Sequence, residues 1–207
     1  PAAAATGRLT LRPHSIVAEV LYDRSRQRAR GVRVIDAQSR ESLEFTAPIL
    51  FLCASAIEST RILLNSRQAS PGGLGNAEGL LGRFLLDHHY GSGASGTLHG
   101  VARTRSRVNR PTGFYIPRFR NLGEESSGFL RGYGVQGAAI LPGWQRGKAA
   151  PGFGAEFKRR LLEEEGEWSL YGSGYGETLP HADNRVTLDE SVVDRWGIPA
   201  ARIDMRW

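Results

Sequence analysis

The sequence predicts an α/β portion over residues 1–88 followed by an α+β portion, largely antiparallel sheet, over residues 89–207. Three observations carry this. Short apolar-alternating runs separated by turns fill the first fifty residues, which is the spacing of a small antiparallel meander. A continuous apolar run, Pro48 to Ala54, then leads through small residues into a helical pattern. From about residue 89 onward the chain turns to glycine-punctuated, alternating stretches of β character.

Each element has its own signal. Gly7 to Arg12 alternates Leu9 and Leu11 with polar neighbours and reads as a half-buried strand. Pro13-His14 breaks it. Ser15 to Tyr22 follows as a strand with Ile16, Val17, Val20 and Leu21 as apolar positions, and Asp23 to Arg30 is its turn. Gly31 to Asp36 and Glu41 to Thr46 complete the meander. Pro48 to Ala54 lacks polar alternation and predicts a strand buried on both faces. Ile57 to Ser66 predicts a helix with one apolar face, with Ser55 as N-cap and Glu58 as the far member of a capping box. Gln68 to Gly82 is a glycine-rich loop. Strands are expected over Gly113 to Phe119, Phe129 to Ile140, Ser169 to Glu177 and Asn184 to Leu188, with an irregular insertion from Pro142 to Gly154. Glu156 to Glu165 predicts a surface helix, and Glu163, Glu164 and Glu165 its solvated face.

Composition narrows the function classes. The 207 residues are 40% apolar and 23% charged, ordinary for a globular chain. The 26 glycines exceed the usual share of about 7% and imply many tight turns. No run approaches the roughly 20 apolar residues of a membrane-spanning helix. Ala2 to Ala5 lack the basic flank and apolar stretch of a signal peptide. Pro1 in place of Met, and the alternating Arg202 to Trp207 without a polar tail, lead us to expect a piece of a longer polypeptide.

Cys53 alone excludes an internal disulfide and a multi-cysteine metal site, and its apolar setting predicts a buried, inert thiol. The net charge of +6 concentrates in Arg24, Arg26, Arg28, Arg30 and Arg33, then in Arg103, Arg105, Arg107 and Arg110. Both stretches lack the aromatics that stack on bases, so solvated loops are expected and no nucleic-acid partner. Polyanion binding through these loops, or a non-enzymatic β-rich interaction module, are the alternative readings. His88 and His89 are adjacent on a predicted strand and point to opposite faces, against a shared metal ion. His181 reads as a turn residue, and no Gly-x-Ser-x-Gly elbow is present.

The turn Ala54-Ser55-Ala56 lies between an apolar strand and a helix start. Small residues there let a ligand approach the backbone, and the helix N–H groups favour negative charge. Tight strand–helix packing would select the same residues.

Set in order, several blocks resemble one family, the glucose–methanol–choline oxidoreductases. Ile49 to Ser66, Ile-Leu-Phe-Leu-Cys-Ala-Ser-Ala-Ile-Glu-Ser-Thr-Arg-Ile-Leu-Leu-Asn-Ser, is similar to the family's strand–turn–helix, in which Ala-Ala-Gly-Ala ends the strand and Ser-Pro-x-Leu-Leu-Leu follows. Ser55 stands where that family has Gly, and Thr60 where it has Pro. Ser15 to Val20 with Ala29 to Val32 is similar to the preceding strand pair. Gly79 to His88 resembles a Gly-Arg-x-Leu-x-Asp-His element. Asn184 to Asp189, with Trp196 to Pro199 and Arg202 to Asp204, resembles the Asn-Arg-Val-Thr-Leu strand and its continuation. The blocks span residues 7–207, with a loosely matched stretch from about 95 to 165.

The resemblance implies part of an FAD-binding three-layer nucleotide-binding domain, followed by a mainly antiparallel β-sheet substrate domain. It implies FAD as cofactor and an alcohol or sugar oxidised at CH–OH. Val17 would pair its backbone with the adenine, and Ala54, Ser55 and Ala56 would form the cofactor turn. The pyrophosphate-binding Gly-x-Gly-x-x-Gly expected before Val17 does not occur, and Gly172-x-Gly174-x-Gly176 sits in a late β segment. The family's catalytic histidine lies beyond the Asn-Arg-Val-Thr-Leu strand, so no catalytic residue is assigned. The parent is expected to be active, and this chain alone to bind FAD weakly or not at all and to have no turnover.

Overall fold

The computed structural model describes residues 2–101, 113–123, 128–142, 144–163 and 166–206. The second arginine stretch, Arg103 to Arg110, and Glu164 and Glu165 lie outside them. In chain order the elements are α1 (Ala2–Ala5), β1 (Ser15–Asp23), β2 (Arg28–Asp36), β3 (Ser42–Thr46), α2 (Ser55–Asn65), β4 (His88–Leu98), β5 (Phe114–Ile116), β6 (Gly134–Ile140), a 3-10 turn (Trp144–Lys148), α3 (Gly154–Glu163), β7 (Trp168–Glu177), β8 (Arg185–Val193) and β9 (Pro199–Asp204). They form two compact units. One comprises residues 1–86 and 179–207, the other residues 87–178.

The first unit holds the antiparallel sheet β1-β2-β3 and the hairpin β8-β9, with α2 packed on β1, β8 and β9. Val17 faces Val34 across the first ladder, and a bulge at Ala18 shifts the register so that Glu19 faces Arg33. Both hairpin turns of the sheet are closed by aspartates. Asp23 Oδ1 accepts the N–H groups of Ser25 and Arg26, and Asp36 Oδ1 those of Gln38 and Ser39. Ala18, Ile35 and Ile198 are buried together, with Ile16 and Trp196 packed against them. Val20, Leu21, Val34, Ile62 and Val186 are also buried. The outer edge of β1 is covered from the end of α2. Ser66 Oγ accepts the Val20 N–H at 2.8 Å and donates to Ile62 O at 2.6 Å, while Gln68 Oε1 accepts the Tyr22 N–H at 3.1 Å. These side chains satisfy donors that an edge strand would otherwise expose.

The second unit is one antiparallel sheet in the order β4-β7-β6-β5, accompanied by α3. Asp87 and Thr178 tie its two chain ends together. The Asp87 N–H donates to Thr178 Oγ1 at 3.0 Å, and that hydroxyl donates to Asp87 O at 2.8 Å. Asp87 Oδ1 also accepts the His88 N–H. On β6, Gly137 is required: a Cβ there would lie 2.0 Å from Tyr171 O on β7.

Four expectations are corrected. Residues 7–12 form no strand, and Leu9 and Leu11 are exposed, because nothing pairs beside them among the described residues. Pro48 to Ala54 joins no ladder. Ile49 is 69% exposed and Phe51 87%, and the Cys53 thiol is exposed rather than buried. An apolar run announces a need for burial without supplying the surface that meets it. Ser55 does not cap α2. Ser55 is already the first residue of the helix, with a φ of 69°, and Ala54 holds the N-cap position without a side-chain cap. Residues 179–207, expected with the antiparallel portion, instead belong to the first unit, because β8 and β9 pack on α2. Fold class follows suit: the described chain is mostly antiparallel sheet with few helices.

Candidate functional site

In the first unit, Val17 is half-buried on β1 and immediately precedes the bulge at Ala18. Bulges re-aim backbone groups and side chains, so the ladder is locally interrupted at the position the resemblance assigns to adenine. The turn Ala54–Ala56 opens α2. Ala54 is half-buried, with its N–H donated to Ser59 Oγ at 3.2 Å, while Ser55 and Ala56 are exposed. Ser55 adopts the left-handed conformation where the resemblance expects glycine in this turn. The backbone therefore keeps a glycine geometry that the side chain does not favour. Among the described residues no hydrogen bond joins Val17 to this turn. The bonded link between β1 and α2 is at the other end of the helix, through Ser66.

Arg61, not singled out from sequence, fixes α2 on the β8-β9 hairpin. Its Nε donates to Pro199 O at 2.7 Å, and one terminal nitrogen donates to Asp194 Oδ2 at 2.7 Å and to Ile198 O at 3.0 Å. Asp194 Oδ1 in turn accepts the N–H groups of Trp196 and Ile198. Burial pushes the Asp194 carboxyl upward, but the Arg61 bond and these backbone donors outweigh it. The group ends below its ordinary value of 3.8.

In the second unit, alternate residues of β7 face opposite sides of the sheet. Gly172, Gly174 and Gly176 floor a cleft of about 620 Å³ on one side, lined also by His89, Phe129, Arg131, Tyr133, Val135 and Glu177. A Cβ on these three glycines would meet Val135, Tyr133 and His89 at 3.3, 3.5 and 3.8 Å, so their absence is what gives the cleft its depth. Tyr133 packs against Phe119 and Phe129 with ring centroids 6.3 and 6.1 Å apart. The cleft thus combines aromatic and aliphatic walls with a few polar groups, the make-up of a small-molecule site. On the opposite side, Tyr115, Gln136, Tyr171 and Tyr175 line a second cleft of about 400 Å³.

His88 lies edge-on to Tyr175 at 6.2 Å, and His89 lines the glycine-floored cleft. The two histidines are on different faces, as strand alternation requires. No group of three or more His, Cys, Asp or Glu suited to a metal occurs among the described residues. The Gly172-x-Gly174-x-Gly176 pattern was visible in the sequence. The walls from residues 129–135 were not, because nothing local says which strand they approach.

The first arginine stretch is largely engaged. Arg24 Nε donates to Gln68 O, Arg30 pairs with Glu44 at 3.1 Å, and Arg33 pairs with Glu19 at 2.7 Å.

No protein-family model matches the chain. Aligned over 214 residues, it is 32% identical to the 2-methyl-1,2-propanediol dehydrogenase of Mycolicibacterium austroafricanum. The alignment covers 99% of this chain and 37% of that enzyme, so the chain spans about a third of the length of the curated relative it matches.

Proposed function

We propose that this chain is part of a flavin-dependent oxidoreductase of the glucose–methanol–choline type that oxidises a small alcohol at CH–OH. The observation that carries the reading is the match along 99% of the chain to a protein named as a diol dehydrogenase. Three features support it. The blocks that resemble the family occur in its order. Ser55 keeps a left-handed turn where the family has glycine. The glycine-floored cleft has the size and mixed lining that a small hydroxylated molecule needs.

In this reading Val17 and the Ala54–Ala56 turn contact FAD in the first unit, and the cleft on β7 receives the alcohol in the second. FAD held there would supply the hydride acceptor. The chain's own residues bind and orient: the β1 bulge offers backbone groups, and the cleft walls of Phe129 and Tyr133 hold the carbon skeleton away from water. No residue of the chain is assigned as the base.

Hydrogen exchange on the polypeptide expressed with its flanking coding sequence tests the assignment. FAD should slow exchange around residues 15–20 and 54–58, and a 1,2-diol should slow it around 89–94 and 129–135. A protein that takes up no FAD, or that is protected only elsewhere, would overturn the proposal.

A further inference from the structure

A third cleft, in the first unit, has a different chemistry. It measures about 270 Å³ and is lined by three arginines, Arg67, Arg83 and Arg185, against one carboxylate, Glu190, together with Thr187 and Asn76. Arg67 pairs with Glu190, which leaves the other two guanidinium groups to account for. Arg83 donates through Nε to Gly79 O at 2.9 Å and through one terminal nitrogen to Ala182 O at 3.5 Å, and it forms no ion pair among the described residues. Arg185 Nε is covered and makes no hydrogen bond, although the side chain as a whole is 43% exposed. Its nearest carboxylate, Asp204, stands 3.9 Å away and is shared with Arg202 at 3.5 Å.

The fold sets these two residues opposite one another. Arg83 and Arg185 face each other in an isolated β-bridge, beside the bond from Val186 N–H to Gly82 O at 2.8 Å. Gly82 has a φ of +82°, and a Cβ there would lie 2.2 Å from Val186 O, so only glycine allows this approach. Like charges on directly opposed positions destabilise a ladder. An anion between them removes that penalty, and guanidinium forks match the oxygens of a phosphoryl group.

We propose that this cleft binds a phosphoryl oxyanion, held by Arg83 and Arg185 with Arg67 and the Thr187 hydroxyl beside them. The site is independent of the redox reading. Its test is an NMR titration of the arginine Nε–H signals with inorganic phosphate, pyrophosphate and glycerol 3-phosphate, in chloride at constant ionic strength. Saturable shifts of the Arg83 and Arg185 signals are expected. Arg83→Gln and Arg185→Gln should each weaken binding by about tenfold, the scale of one lost charge-assisted bond. Arg26→Gln, in the exposed β1-β2 turn, should leave it unchanged. Arg83→Lys keeps the charge but loses the fork and should also weaken binding, which decides the matter if Arg185→Gln does not fold. Tighter binding of glycerol 3-phosphate would identify a phosphorylated organic ligand, and tighter binding of phosphate or pyrophosphate a free anion. Absence of saturable shifts, or an equal loss on Arg26→Gln, overturns the site.

Discussion

The two units solve the problem of stability differently. In the first, Ala18, Val20, Leu21, Val34, Ile35, Ile62, Val186 and Ile198 are all buried, and the polar side chains of Ser66 and Asn184 are buried with their hydrogen bonds made. In the second, none of the described apolar side chains reaches that degree of burial. Tyr115, Ile140 and Tyr171 remain 61%, 53% and 44% exposed. Its sheet carries a cleft on each face and is held chiefly by ladder bonds and close glycine contacts. The contrast separates a unit built around a core from one built around surfaces, and open surfaces are where small molecules bind.

The sharpest way to break this comparison is to remove matched side chains. Leu21→Ala, at a site 1% exposed, should lower stability by about 2–5 kcal/mol in chemical denaturation. Ile140→Ala should change it by no more than about 0.5 kcal/mol. Equal losses would mean that the second unit has a core of its own. Next in size is Ser66→Ala, which strands the buried Val20 N–H and should cost about 1–3 kcal/mol. Exchange at the Val20 amide should rise with it, and an unchanged amide would show that the edge of β1 needs no cover.

A smaller effect concerns acid. The Asp194 carboxyl titrates below 3.8 in the folded chain, so its contribution is fully present above the unfolded value and is lost as pH falls through the folded one. Asp194→Asn should therefore flatten the loss of stability below about pH 4 and leave the second unit untouched. A parallel acid limb in the variant would assign the effect to other carboxylates. The smallest change is Ser55→Gly. Relief of the left-handed backbone should raise thermal stability by about 1 kcal/mol, and a decrease would show that the serine side chain is needed at the turn.

What could be read from the sequence follows the same division. The meander β1-β2-β3 was legible because alternation and turn residues are local, and its first aspartate-closed turn falls within the polar stretch Asp23 to Arg30. Pro48 to Ala54 misled because hydrophobicity specifies burial but not the neighbour that provides it. Ser66 and Arg61 could not be found: their partners lie 46 and 133 positions away in the chain. At the candidate cleft, the period-two glycines of β7 were legible as a pattern. Their use as a floor depends on His89 arriving from β4 and Tyr133 from the segment before β6, which no local signal announces. Ser55 was legible as a departure from the resembled pattern, and its positive φ explains why glycine would be usual there.

The most direct test of the functional account is an anaerobic titration of the flavin in the polypeptide expressed with its flanking coding sequence. Addition of 2-methyl-1,2-propanediol or a related 1,2-diol should bleach the oxidised flavin absorbance, with one diol consumed per flavin reduced. A protein that carries flavin whose spectrum no alcohol or sugar alters would contradict the account.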